Sequence, residues 1–505
     1  MRKYLAITIF IVASLLGQAQ SLPIEKQPMI WLRADMPGDS AGFWINVAAN
    51  EYHAFRTGQN SLPDTVAFNF HNSYLLPTGS TAFSINNYFP ASKQNYSIYT
   101  VYQIFDTINE YGIWKIQLDS TYNTKLSTLK TKNIRKFIRY TPTTMNVPII
   151  NASKQSWRNI NIDSTICSFN LCGTDSFGFN GKIAEFIVLN NKVSSIDNEK
   201  IHTYLSIKYG IGIHYLNYVN SEDSILWNYK KNKIFKYDIV GLGRDDSLEI
   251  YQKQTAAKGG ESELTMYLGE LKDLNKNNNS TINNNNFILY GHNGDSLLFP
   301  PQDTNQSQSY TNLLKRKWKI ICAGNSIRQN SFNLRLNTGS IDTVNNFILV
   351  INRQESLDFD TTTSIIMFPD SFDNNSNYYC KNIHWDADSS GADVFTFMQM
   401  PKGDFFYYNN NKKKSPENSE DPIKQKIEYS LYPNPTAGDF NLDIEATNKR
   451  TIYMTIFDIE GKMIMKDEFE GSKTYHIQKT LKTKGNYLIT LESGKEKKSI
   501  KLIVN

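Results

Sequence analysis

Three carboxylates and a hydroxyl gather around a glycine in Asp386-Ala387-Asp388-Ser389-Ser390-Gly391-Ala392-Asp393, a set of hard oxygen ligands suited to calcium. The spacing is incomplete for an EF-hand loop, because the twelfth position from Asp386 is Phe397 instead of a bidentate glutamate, and no flanking helices are evident. Asp386, Asp388 and Asp393 are thus the metal candidates and calcium the one cofactor suggested, with a solvated turn as the alternative reading. Asp245, Asp246 and Glu249 come nearest to the paired acids of a glycosidase. Adjacent residues on a strand face opposite ways, so at most one of the two aspartates joins Glu249. There is no Gly-x-Ser-x-Gly elbow, no His-Glu-x-x-His zinc helix and no phosphate loop, and Gly241-Leu242-Gly243 lacks the helix start that would let it cradle phosphate. The seven histidines are scattered. No catalytic residue is expected, and the chain reads as a non-enzyme.

Four cysteines remain, Cys167, Cys172, Cys322 and Cys380. A hairpin can close the short gap between Cys167 and Cys172, which would leave Cys322 with Cys380 as a second disulfide in an oxidising compartment. A four-thiolate zinc site normally shows two Cys-x-x-Cys knuckles, and neither occurs here. Trp44, Trp114, Trp157 and Trp385 offer rings that stack on sugars or peptides when exposed, and otherwise belong in cores.

The elements that would position these groups are β-rich. Hydrophobic content is 40%, with 29 Tyr and 28 Phe supplying aromatic cores. Arg2 and Lys3 precede an apolar stretch from Tyr4 to Leu16, and Gly17-Gln18-Ala19 supplies small residues for cleavage, so residues 1–19 read as a signal peptide. That stretch is too short for a permanent spanning helix, and no transmembrane segment is expected elsewhere. Losing Arg2 and Lys3 takes the formal charge from +5 to +3, with acids and bases interspersed and one basic cluster, Lys412-Lys413-Lys414, in a linker. No nucleic-acid partner is expected.

From residue 22 to 215, β-branched and aromatic runs such as Ser97–Tyr102, Tyr111–Ile116 and Lys182–Leu189 are separated by Gly, Asn, Pro and Ser, which predicts a β-sandwich. It ends in one helix: Ser194 caps it, Asp197 follows three residues later, Ile201, Tyr204 and Leu205 form its apolar stripe, and Gly210 terminates it. Residues 216–408 carry further strands, among them Phe332–Leu336 and Phe347–Ile351, and predict a second sandwich. Within it Asn275–Asn286 reads as a flexible loop, too polar to order itself by burial. Residues 409–427 lack apolar alternation and read as a linker. From 428 to 505, alternation at Phe440/Leu442/Ile444, Ile452/Met454/Ile456, Tyr487/Ile489/Leu491 and Ile500/Leu502/Val504 predicts a small antiparallel sandwich. The fold class is all-β, with tandem sandwiches.

The last segment resembles the type A C-terminal sorting domain of proteins exported by the type IX secretion system of Bacteroidota. The residues carrying the likeness are Tyr432, Pro433, Asn434 and Pro435 with Gly438, Gly461, Gly485 with Tyr487, and the basic-apolar tail from Lys501 to Val504. The resemblance implies passage through the periplasm and across the outer membrane, with the type IX machinery as partner and the cargo left on the cell surface or released. Residues 22–215 resemble the concanavalin-A-like or laminin-G-like sandwich, on Trp31-Leu32-Arg33-Ala34-Asp35, Gly181–Val188 and Ile201–Ile211. Residues 216–408 resemble a module of unassigned function that often follows it. Together these readings imply a secreted or surface-displayed, non-catalytic binding or adhesion protein with a glycan or protein ligand. A polysaccharide-degrading enzyme whose acids converge only in the fold, and a passive envelope or matrix scaffold, are the alternatives.

Overall fold

The computed structural model describes residues 21–401 and 427–505, apart from 37–41, 49–51, 58–61, 81–82, 89–94, 107–108, 118–122, 128–129, 134–135, 140–145, 157–165, 174–177, 300–312, 340–344, 358, 360–363, 459–461 and 494–495. The expected signal peptide, the linker up to residue 426, Trp157 and Gly461 lie outside the described residues. The chain divides into two compact units, residues 1–414 and 415–505.

In the first unit, strands Ile149–Ser156, Asn95–Ile104, Phe179–Leu189, His71–Ser80 and Thr65–Phe68 lie side by side in that order, and Ile30–Arg33 also pairs with Phe179–Leu189. An eight-stranded sheet faces this one across a core that holds Trp44, Ile98, Tyr102, Ile113, Trp114, Ile183 and Phe186. The six-stranded sheet is apolar on its other face too. Tyr99, Val101, Ile187 and Leu189 point away from the first core, which is why Ile183–Leu189 reads as a nearly unbroken apolar run instead of an alternating one.

That second face is covered by the helix Ser195–Tyr209, here α1. The Asp197 N–H donates to the Ser194 hydroxyl at 3.1 Å, and Gly210 ends the helix at φ 63°. A side chain at Gly210 would place Cβ 2.3 Å from the Ala256 carbonyl oxygen, so glycine is required there by space as well as by backbone conformation. The predicted stripe of Ile201, Tyr204 and Leu205 is present, but Ile207, Tyr209, His202 and Lys208 are buried as well. The helix is enclosed because a second module packs on its far side.

That module is a sandwich of its own. Its seven-stranded sheet runs Ile250–Gln252, Tyr237–Asp245, Asn286–His292, Trp318–Ala323, Ala392–Pro401, Asn345–Asn352 and Ile365–Met367. The five-stranded sheet runs Gln254–Ala256, Leu264–Leu268, Phe332–Asn337, Asn377–Ile383 and Ser371–Phe372. Val240, Met266, Trp318, Leu334 and Trp385 fill the space between them. The outer face of the seven-stranded sheet gives Ile239, Phe287, Leu289 and Val394 to the core that surrounds α1. One continuous apolar core therefore joins both sandwiches through the helix.

The asparagine-rich stretch is ordered, contrary to expectation. Asn275 Oδ1 accepts from the Lys253 N–H at 2.8 Å and its Nδ2 donates to the Tyr251 carbonyl at 2.7 Å; Asn278 Nδ2 donates to the carbonyl of Leu268 at 2.9 Å and of Glu270 at 3.1 Å. An amide side chain carries donors and an acceptor, so hydrogen bonding fixes this segment where burial of apolar surface does not.

In the second unit, Ile427–Tyr432, Asp439–Asp458, Met463–Thr480, Gly485–Ser493 and Glu496–Val504 join in one antiparallel sheet. Its two long strands bend at irregularities near Glu445–Arg450 and Arg450–Ile452, which folds the sheet over a core made by the predicted alternating residues.

Candidate functional site

Three motifs far apart in sequence meet beneath the joint of the two sandwiches. Arg33 and Asp35 come from the end of the first strand, Glu185 from the middle of Phe179–Leu189, and Tyr204, Lys208 and Tyr209 from α1. Glu185 is buried and accepts four hydrogen bonds: from Trp31 Nε1 at 2.5 Å, Tyr209 Oη at 2.6 Å, Lys208 Nζ at 2.9 Å and Tyr204 Oη at 3.1 Å. Lys208 also reaches Asp35 Oδ1 at 3.2 Å, and Arg33 Nε lies 3.4 Å from the same oxygen. From there the network enters the second module. Arg33 Nη1 lies 3.3 Å from Glu249 Oε2, His71 Nδ1 lies 3.5 Å from Asp35 Oδ2, and the other ring nitrogen of His71 lies 2.8 Å from Gln252 Oε1.

Burial alone would raise the Asp35 carboxyl, but the Lys208 ammonium, the Arg33 guanidinium and His71 outweigh it and hold Asp35 well below the usual carboxylate range. Burial also opposes the charge on Arg33, yet the surrounding acidic groups raise it further above its usual value. Burial pushes the Tyr204 and Tyr209 hydroxyls well above theirs, so both remain donors. Glu185 is saturated by donors and closed to solvent, and Lys208 stands between it and Asp35. The arrangement acts as an ionic fastening between modules, in which Lys208 and Arg33 lie among the three acids Glu185, Asp35 and Glu249, with Glu185 fully enclosed and Glu249 at the partly exposed end.

Beside it, the hairpin turn Asn69-Phe70 inserts between α1 and the second module. Asn69 Nδ2 donates to the Lys208 carbonyl at 3.0 Å, its Oδ1 accepts from the Ala256 N–H at 2.9 Å, and its own N–H bonds the Gly259 carbonyl. Above this turn opens a cleft of about 410 Å3, lined by residues of both sandwiches that include Phe70, Gly259, Asp273 and Arg335.

The acids and metal candidates read from the sequence have other roles. Asp245 accepts from the N–H groups of Ser221, Ser247 and Leu248, and Asp246 pairs with Arg244 at 2.7 Å, so the two aspartates stabilise a turn while Glu249 belongs to the fastening. In the proposed calcium loop, Asp386 binds Arg328, and Asp393 Oδ2 lies 2.6 Å from Arg353 Nη1. The reading is corrected accordingly: arginines occupy two of the three carboxylates, and Asp388 is exposed. Among the described residues, no group of three His, Cys, Asp or Glu is arranged to hold a metal ion.

The disulfide expectation is also corrected. Cys172, Cys322 and Cys380 are free, buried thiols, while the Cys167 side chain lies outside the described residues. Cys322 and Cys380 sit on different sheets of the second sandwich, and burial pushes both up to about 12. Trp44, Trp114 and Trp385 are core residues at no more than 1% exposure, which removes them as stacking platforms.

In the second unit the motif residues at both ends of the segment come together. Asn434 Nδ2 donates to the Lys501 carbonyl at 2.7 Å, its Oδ1 accepts from the Ile503 N–H at 2.9 Å, and Thr436 bridges to Val504. Gly438 accepts from the Leu481 N–H, Tyr432 donates to Asp443 at 2.8 Å, and Tyr487 donates to the Thr483 carbonyl at 2.8 Å. Gly485 starts the strand that pairs with the tail. The opening motif is thus the clasp of the last strand.

Sequence reasoning missed the fastening. Its one signal was a charged residue set inside an apolar run, as Glu185 in Ile183–Leu189 and Lys208 in Leu205–Tyr209.

Residues 430–505 match the model of the secretion system C-terminal sorting domain, which makes this unit an export signal. Residues 197–389 match a domain of unknown function (DUF8202), a match that begins inside α1. No curated protein matches the chain. Among solved structures, the chain is similar to domain 4 of AbnA, a GH43 extracellular arabinanase from Geobacillus stearothermophilus, at 14% identity over 34% of this chain and 95% of that one, TM-score 0.25. It is similar to the receptor binding domain of botulinum neurotoxin D at 11% identity over 73% and 96%, TM-score 0.27. A Parabacteroides merdae β-glucuronidase follows at 6% identity and TM-score 0.15, with 34% of this chain spanning 27% of that one. At these TM-scores nothing of those proteins' ligands or chemistry transfers here. Among the described residues no helix is long and apolar enough to cross a membrane.

Proposed function

We propose that the chain is a non-catalytic, modular binding protein of a Bacteroidota cell, exported by the type IX secretion system to work on the cell surface or outside it. The observation that carries this reading is the sorting-domain match at residues 430–505, because an export signal gives the upstream unit an extracellular workplace. The expected signal peptide at residues 1–19 agrees with the same route. The acids singled out from the sequence carry structural bonds, Asp245 to backbone N–H groups, Asp246 to Arg244 and Glu249 to Arg33, and this supports the binding reading.

Deleting residues 428–505 in the native host tests the export half, and the truncated protein is expected to stay in the periplasm. Probing the full exported chain against glycan and extracellular-protein arrays tests the binding half. Retention at the surface with silence on every array would favour a passive scaffold. Release of reducing sugar from a polysaccharide, abolished by Asp245→Asn or Glu249→Gln, would overturn the non-catalytic reading.

A further inference from the structure

The 410 Å3 cleft has the size of a small-molecule site and lies where two modules meet, a common place for one. Its strongest feature is Arg335. This residue sits in the cross-strand row Thr265–Arg335–Tyr379 of the five-stranded sheet, and Thr265, which is fully buried, accepts from Arg335 Nη2 at 2.9 Å. That bond fixes one edge of the guanidinium. Arg335 Nε is closed to solvent and has no hydrogen-bond partner, and among the described residues Arg335 forms no ion pair. Nε is therefore out of reach from the cleft, and the nitrogen left to meet a ligand is Nη1, which has no partner among the described residues; a charged N–H donor of this kind pairs well with a carboxylate oxygen.

The rest of the lining narrows the class. Two of the other charges are engaged, since Lys272 pairs with Glu270 at 2.6 Å and Glu261 with Lys182 at 3.4 Å. Asp273 lines the cleft, is exposed and among the described residues has no partner, which leaves an acceptor for hydroxyl groups. Phe70 supplies an apolar face, and Gly259 and Gly260 form the wall with bare backbone. A simple inorganic anion would use Arg335 but neither Phe70 nor Asp273. A ligand with a carboxylate, several hydroxyls and an apolar ring face uses all three.

We propose that this cleft binds a hexuronic-acid residue of an acidic polysaccharide, its carboxylate on Arg335, its hydroxyls on Asp273 and its ring face on Phe70. This inference rests on the binding function proposed above and specifies the ligand class for it. The site joins the hairpin of the first sandwich to the second, so it exists only while the two modules are fastened.

The test is calorimetric titration of the full chain with trigalacturonic acid, neutral galactotriose and sodium sulfate. Trigalacturonic acid is expected to bind, with galactotriose and sulfate at least tenfold weaker. Arg335→Ala is expected to weaken the acidic ligand about 10- to 100-fold, the range for a charged hydrogen bond, and Arg335→Lys to recover only part of it. Asp273→Asn, a change at an exposed residue that leaves the sheet untouched, is expected to weaken it a fewfold and serves if the arginine variants fail to fold. Equal affinity for galactotriose would keep a glycan-binding function but overturn the acidic-ligand assignment. Equal affinity for sulfate, or unchanged affinity in both Arg335→Ala and Asp273→Asn, would overturn the site. No binding of any of the three would overturn it as well, while a positive extracellular-protein array would leave the broader reading standing.

Discussion

Lys208 is the central element of the fastening, and replacing it with methionine isolates what the network contributes. Methionine keeps most of the aliphatic volume but leaves Glu185, fully buried, without the cation 2.9 Å away, and Asp35 without the one at 3.2 Å. Removing one partner of a buried pair leaves an uncompensated charge and costs about 3–5 kcal/mol. Lys208→Met is therefore expected to destabilise the first unit by that amount. All seven tryptophans lie upstream of residue 415, so intrinsic fluorescence during urea unfolding reports this unit alone. Adding Glu185→Gln removes the charge that the first substitution left stranded, and the double variant should be more stable than the sum of the single effects by about 1–3 kcal/mol. The acid limb offers a second readout. The folded value of Asp35 is depressed, so its contribution is present above the unfolded value near pH 4 and is lost as pH falls toward the folded one. Lys208→Met should shrink that acid-dependent loss. A cost below about 1 kcal/mol, or strict additivity in the double variant, would refute the fastening.

Three further outcomes follow from the geometry. Asn69→Ala removes bonds to the Lys208 carbonyl and the Ala256 N–H in a dry joint, and should cost about 1–3 kcal/mol in the same unfolding assay; no loss would mean the turn does not tie the modules. Burial pushes Asp393 up to about 6 from 3.8 despite Arg353, so the folded state takes up a proton between those values and stability from this group falls as pH rises through that window. The effect is at most about 3 kcal/mol, and Asp393→Asn should remove that slope from urea midpoints compared between pH 4 and 7; an unchanged slope would contradict the assignment. Cys172, Cys322 and Cys380 should resist alkylation in the native protein and react fully after unfolding without reductant, and a disulfide-linked peptide containing any of them would overturn their description as thiols.

Much of the fold was legible because its signals are local. The alternation at Phe440/Leu442/Ile444 and its neighbours reports which face of a strand is inward, and Ser194 and Gly210 bracket α1 through hydrogen bonds and backbone angles set within a few residues. The fastening was not legible, since Arg33, Glu185 and Lys208 acquire their meaning only when strands and helix from distant parts of the chain are stacked. The same applies to the cleft, where Phe70 and Arg335 are brought together by module packing. Cysteine spacing suggested disulfides, but Cys172, Cys322 and Cys380 are free thiols that pack as small apolar residues inside the sandwich cores. The asparagine-rich stretch misled for another reason: composition measures how little apolar surface can be buried and says nothing of how well amides satisfy one another.

Export in this reading depends on residues 428–505 acting as a self-sufficient module. Fusing them to an inert periplasmic reporter in a bacterium with a type IX secretion system, and measuring the reporter outside the outer membrane, tests it most directly. The fusion should appear on the surface or in the medium, and Asn434→Ala, which opens the clasp on Lys501 and Ile503, should reduce that fraction. A reporter that stays in the periplasm with the intact module attached would contradict the claim.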